Sequence, residues 1–246
     1  MRRVYKTAHR VLRLAVGLAV LAALVVTLLW IARHRPGDLP GTALDLGQPV
    51  GMFTGRKLAG LTENRDRCLA LLDRAGIAYQ ALAPKGEGQC RASDQVRLDP
   101  RPPLGAALAP RDVAPSCPVA AALAMWNWNV VQPAALKHFG SRVSTIGHFG
   151  SYACRRMVGN ATSNWSEHAT ADAIDIASFV FADGHRVSIV GDWTGDEKAS
   201  AFLNDVRDGA CDLFATVLSP DYNAAHRDHL HLDQAARGAL GRRACK

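Results

Sequence analysis

Three imidazoles and one carboxylate carry most of the chemistry this chain can offer. His168 and Asp175 lie within Ser166-Glu167-His168-Ala169-Thr170-Ala171-Asp172-Ala173-Ile174-Asp175, and His229 and His231 flank Leu230 near the C-terminus. If His229–Asp233 is a strand, its period of two puts His229, His231 and Asp233 on one face and Leu230 and Leu232 on the other. Three N/O ligands beside a general base meet the needs of a catalytic zinc, which binds three protein groups and keeps a fourth position open. The competing explanation is plain: with nine histidines in 246 residues, an HxH pair also suits an exposed edge strand and His168 a surface loop.

The elements that must position these groups follow from local pattern. Arg142–Phe149, Ala173–Phe181, Leu213–Leu218 and His229–Leu232 read as strands, and Asp183-Gly184 turns the second of them into Arg186–Val190 as a hairpin. Ile77–Leu82 is strand-like, with Val96–Leu98 as its partner. Helices are expected over Thr62–Ala75, with Thr62 as cap and Gly76 as stop, and over Val119–Val131. A further short helix opens at Pro133 and ends near Gly140, and another covers Asp196–Val206. Trp126 and Trp128 sit at helical spacing in an apolar segment and read as core. Six prolines between Pro100 and Pro118 predict an irregular belt. It marks either a boundary of a small subdomain over 59–100 or a surface loop in one domain. Strands interrupted by helices indicate an α+β fold, an antiparallel sheet with flanking helices. If Ala173 starts its strand, Asp172 and Asp175 face opposite ways, and Ile174 and Ile176 share the face of Asp172. Spacing alone therefore does not choose between the two carboxylates.

The N-terminus has a different character. Arg2, Arg3, Lys6, Arg10 and Arg13 precede an uncharged run from Leu14 to Ala32, which Arg33 and Arg35 follow. Nineteen helical residues rise about 28 Å, close to the roughly 30 Å hydrocarbon core of a bilayer. A cleaved signal peptide usually has a shorter apolar region and a small-x-small cleavage site, which Leu29-Trp30-Ile31-Ala32-Arg33 does not offer. We therefore expect residues 1–13 to be cytoplasmic, 14–32 a transmembrane anchor, 33–58 a linker and 59–246 the folded domain. The excess of basic residues before the span keeps the N-terminus inside. Those seven basic residues account for the whole net charge of +7, since the remaining 22 Lys and Arg balance 22 Asp and Glu. A balanced domain excludes the basic face that nucleic-acid binding needs.

All six cysteines follow the anchor: Cys68, Cys90, Cys117, Cys154, Cys211 and Cys245. An even number in an exported domain points to up to three disulfides, and the lack of any CxxC pair argues against a thiolate zinc site. Proximity in sequence favours Cys68 with Cys90, and by extension Cys117 with Cys154 and Cys211 with Cys245.

The pattern Ser166-x-His168 through Ala173-x-Asp175, followed by the apolar run Ile176–Phe181, resembles the metal motif of the superfamily that joins lysostaphin, D-Ala-D-Ala metallopeptidases and hedgehog domains. His229-Leu230-His231 resembles its second motif. Over residues 60 to 245 the chain resembles the bacterial extensin-like C-terminal domain family. That likeness rests on Gly150-Ser151-Tyr152-Ala153-Cys154-Arg155, Ser166–Ala169, Ala173–Ile176, Phe202-Leu203, Arg207–Cys211, Pro220–Asn223, His226 and Asp228–Asp233.

The resemblance implies a hedgehog/D-Ala-D-Ala-peptidase-like fold and Zn2+ bound by His168, Asp175 and His231. His229 would be the general base. Arg155 would stabilise an oxyanion or grip a substrate carboxylate, although Ala153-Cys154 separates it from Tyr152. Asp233 would orient a ligand histidine, and Glu167 would be a reserve acid/base. Ala171 stands where the motif usually has Gly, which an ordinary backbone there would tolerate. Asn223, His226 and Asp228 are read chiefly as stabilising the turn before the last strand. The implied protein is a metallopeptidase of the bacterial inner membrane, facing the periplasm and cutting an amide bond in peptidoglycan stem peptides. The alternative is a non-catalytic, disulfide-stapled wall-binding or scaffolding domain with a structural or vestigial zinc.

Overall fold

A computed structural model of the protein describes residues 2–62, 64–157, 163–237 and 243–246. Helix α1 (Arg2–His34) holds the apolar run; its stretch Ala8–His34 is long and apolar enough to cross a membrane and is not buried against the rest of the chain. Next come α2 (Thr54–Ala59) and α3 (Arg65–Arg74), then the strands β1 (Tyr79–Ala81), β2 (Val96–Leu98) and β3 (Ala107–Ala109). Helices α4 (Cys117–Trp126) and α5 (Gln132–Phe139) precede β4 (Val143–Gly150), β5 (Ala173–Phe181) and β6 (Arg186–Ser188). The chain closes with α6 (Ile189–Asp192), α7 (Glu197–Cys211), β7 (Thr216–Leu218), β8 (Leu230–Asp233) and β9 (Ala244–Cys245).

The fold is α+β, but its main sheet is mixed rather than antiparallel. The strand order is β3-β4-β5-β8-β7-β9, with β6 beside the C-terminal half of β5. β3 runs parallel to β4 and β9 parallel to β7, while the pairs β4–β5, β5–β6, β5–β8 and β7–β8 are antiparallel. The two parallel strands are edge strands of two or three residues, too short to show a pattern in sequence. β1 and β2 form a separate antiparallel pair, as expected.

The core lies between the sheet and the helices. Ile174 and Ile176 point into it from the start of β5, and Phe179 and Phe181 from its end. This change of parity requires an extra residue, and the register supplies it: Gly147 and His148 pair with Ser178 and Ile176, leaving Ala177 as a β-bulge. A second irregularity follows at once on the partner strand. His148 and Gly150 pair with Ile176 and Asp175, so Phe149 is the extra residue there and is turned outward, 62% exposed. Trp126 is fully buried, with its indole N–H on the Val206 carbonyl (2.8 Å). Trp128 is half-buried beside it and bonds the Pro103 carbonyl.

Local chemistry sets the element ends. α3 is shorter than the sequence reading and is capped by Asn64, whose side chain accepts from Arg67 N (3.1 Å), not by Thr62. Between α4 and α5 the helix widens into a π-turn over Asn127–Val131, just before Pro133, which has no N–H for the regular ladder. Gly140 ends α5 in the left-handed conformation (φ 65°).

Two of the three expected disulfides are different. Cys68 bonds Cys117 and Cys90 bonds Cys154, while Cys211 bonds Cys245 as expected. Cys68 on α3 faces the first residue of α4, so helix packing decides its partner; sequence distance is a weak guide because loop-closure entropy grows slowly with length. Both crossed bonds tie the 59–100 region to the sheet-bearing part. Leu44, Leu46 and Leu58 join the same core, so much of the 33–58 stretch lies against the domain.

Candidate metal centre

Asp175 and His231 are cross-strand partners on β5 and β8. Because Ile174, Ile176, Leu230 and Leu232 fill the core face, the odd-numbered side chains stand on the opposite face of the sheet. His168 reaches the same point from a short 3₁₀ turn, Glu167–Thr170, which Ser166 caps by accepting from His168 N (3.3 Å). The turn closes at Ala171 with φ 62°, a left-handed conformation that suits glycine better. The backbone at Ala171 is thus not ordinary, and the alanine is held there by burial and by its neighbours' hydrogen bonds.

The three side chains form a triangle. His168 Nε2 lies 3.2 Å from Asp175 Oδ1 and 3.2 Å from His231 Nδ1, and the last two atoms are 3.1 Å apart. Their outer nitrogens are already committed. His168 Nδ1–H donates to the Ser151 carbonyl (2.7 Å), and His231 Nε2–H donates to Asp233 Oδ2 (3.1 Å). In the neutral tautomers these bonds select, three lone pairs converge on one point, and only a cation satisfies them all. In the absence of a metal that cation is a proton. Burial opposes charge on His231, but the Asp175 and Asp233 carboxylates outweigh it and raise its pKa to about 9. Burial likewise opposes charge on Asp175, yet the two imidazoles hold its carboxyl well below the usual range.

The geometry fits a metal. Ligands about 2.0–2.2 Å from a tetrahedral zinc stand roughly 3.3–3.6 Å from one another, within a few tenths of an ångström of this triangle. The two imidazoles and one carboxylate suit zinc and also other first-row divalent ions. The outer bonds from His168 to a carbonyl and from His231 to a carboxylate are the usual support for ligating histidines.

His229 stands beside the triangle without joining it. Its Nδ1–H donates to Asp228 Oδ1 (2.9 Å), and its Nε2 is 3.5 Å from Asp175 Oδ1. Phe149, the bulge residue, sets its ring edge-on to His229 at 5.9 Å. His226 lies 5.2 Å from His229 and 6.1 Å from His231, ring to ring, with Nδ1–H on Asn223 Oδ1 (2.8 Å). Burial, followed by electrostatic interaction with the neighbouring His229 and His231, lowers its pKa to about 4. Tyr222 packs on the outer side of His226. Arg155 is exposed and close enough for its charge to contribute to that lowering.

The sequence-selected residues divide accordingly. His168, Asp175 and His231 converge, Asp233 orients His231, and His229 flanks them. Glu167 is half-buried, its pKa raised by burial and then by Asp233, and among the described residues its carboxylate hydrogen-bonds none of the three. Asp172 is fully withdrawn, accepting from Ser116 Oγ (2.6 Å) behind the centre, which removes it as a ligand. Sequence reasoning undervalued Asp228 and His226, reading them as turn residues, although His226-x-x-His229-x-His231 is itself a cluster. It missed Phe149 and the Ser151 carbonyl, for which only tertiary pairing gives a signal.

No curated protein and no solved structure matches the chain. The family described as extensin-like protein C-terminus matches residues 66–246, a stretch that contains every residue of the centre. The chain therefore belongs to the extensin-like C-terminal domain family.

Proposed function

We propose that the protein is a membrane-anchored zinc metallopeptidase that hydrolyses an amide bond in peptidoglycan stem peptides. The observation that carries this reading is the converging triangle of His168, Asp175 and His231 with His229 beside it. A divalent cation held there supplies Lewis-acid chemistry, polarising a carbonyl and acidifying water. Asp228 fixes the tautomer of His229, so Nε2 presents a lone pair toward the centre and takes a proton from the attacking water. The same nitrogen then returns that proton to the leaving amine. Arg155, exposed near His226, holds a substrate carboxylate, and Phe149 and Tyr222 give the substrate apolar walls. Residues 14–32 span the membrane with the N-terminus in the cytoplasm and the domain in the periplasm, where its disulfides are stable.

The second reading, a wall-binding domain with a structural zinc, would recruit His229 as a fourth ligand. Its position outside the three-residue group favours the catalytic arrangement. Metal analysis of the full-length protein tests both. We expect about one zinc per chain, lost in His168→Ala, and a His229→Ala variant that keeps the metal but loses at least 10²-fold in muropeptide cleavage. Absence of metal even after zinc is supplied overturns the peptidase reading and the structural zinc, and leaves a wall-binding domain with a vestigial site. Metal loss in His229→Ala favours the structural one.

A further inference from the structure

Away from the metal centre, a cleft of about 290 Å³ opens between the β1–β2 pair and the proline-rich belt, with β3 along one wall. It shares no residue with the centre. Leu98, Leu108 and Val113 supply an apolar surface, and Arg97, Arg101 and Arg111 face it against the single carboxylate of Asp99. Asp99 is already engaged: it accepts from the backbone N–H of Arg101 (2.9 Å) and from its Nε (3.0 Å). Two positive charges are therefore left over. Arg97 donates from Nη1 to Gln80 Oε1 (3.0 Å), but its Nε is buried and finds no acceptor. A guanidinium recognises a planar carboxylate through paired N–H groups.

We infer that this cleft is a second binding site, for a carboxylate carried on an aliphatic body, such as the acidic end of a peptide. The carboxylate pairs with Arg97 and Arg111 while the aliphatic part covers Leu98, Leu108 and Val113. The inference is independent of the metal centre and of any hydrolytic activity.

Calorimetric titration of the full-length protein in detergent with N-acetyl-alanyl-glutamate tests it. We expect one saturable site that weakens with added salt and loses about tenfold or more in affinity in Arg97→Gln and in Arg111→Gln. Arg111 is exposed, so its variant keeps the test decisive if Arg97→Gln fails to fold. His168→Ala is expected to bind like the parent protein, so failure of the metal reading leaves this result standing. No saturable binding, or affinity unchanged in the arginine variants, overturns the proposal. Inorganic phosphate binding as tightly as the dipeptide also overturns it, since that would mark a general anion patch indifferent to the apolar wall.

Discussion

His231 makes the candidate metal centre proton-sensitive. With its pKa raised to about 9 by Asp175 and Asp233, it carries a proton at neutral pH, and that proton must leave before Nδ1 can ligate. We expect metal binding at pH 7 to release close to one proton per chain, measurable by calorimetry in buffers of different ionisation enthalpy. Affinity should fall by up to tenfold for each pH unit below about 9. In the metal-free protein the sign reverses for stability: the pairing contributes fully below the unfolded value near 6.5 and is lost as pH rises toward 9. Asp172 behaves as a buried acid. Burial raises its pKa well above the ordinary value, so the stability of its protonated form is present below about pH 3.9 and lost as pH rises through the folded value. Asp172→Asn keeps an acceptor for Ser116 Oγ and removes that loss. We expect a melting temperature higher by a few degrees at pH 8, and a shallower dependence on pH.

Among the elements, the strap Gly150–Met157 does the most to hold the ligands. Ser151 bonds the carbonyls of Ala171 and Ala173 through its hydroxyl and His168 through its own carbonyl, and Ala153 N donates to the His168 carbonyl (2.9 Å). Cys154 pins the strap to Cys90. Replacing both cysteines by alanine should cost roughly 2–4 kcal/mol in unfolding free energy. Because the strap carries the support of a ligand, metal affinity should fall as well, by about 10–100-fold. Replacing Cys211 and Cys245, which bridge α7 and β9 away from the triangle, should lower stability with metal affinity nearly unchanged. Denaturant titration and competition with a metal chelator separate the two effects.

For the whole molecule, the junction between α1 and the domain is short and built. Lys57 Nζ donates to the Pro36 carbonyl (2.7 Å) and to Thr42 Oγ1 (2.8 Å), and Phe53 N donates to the Gly37 carbonyl (2.8 Å). Gly37 is buried against Gly51 and Thr54, where a Cβ has no room. If α1 is a retained anchor, the 26.4 kDa chain sediments with membranes and is released by detergent but not by salt. A shorter, soluble product would instead identify α1 as a cleaved leader.

Much of the centre could be read from the chain. Strand periodicity placed His229, His231 and Asp233 on one face and foresaw β5, because alternation of polar and apolar residues is a local property that burial of one face enforces. The motif selected His168 and Asp175, and charge arithmetic located the basic excess in the first 35 residues. Other features depended on contacts between segments far apart in sequence. The partners of Cys68 and Cys90 were chosen by how α3 meets α4 and how the Cys90 turn meets the strap. The parallel edges β3 and β9 were decided by where short segments dock. The bulge that aims Phe149 at His229 arises from a register mismatch between β4 and β5, which neither strand encodes alone. Asp172 and Asp175 have the same chemistry and spacing does not separate them; the motif favoured Asp175, and the tertiary structure supplies the physical reason, with Asp172 sealed behind Ser116 and Asp175 facing two imidazoles.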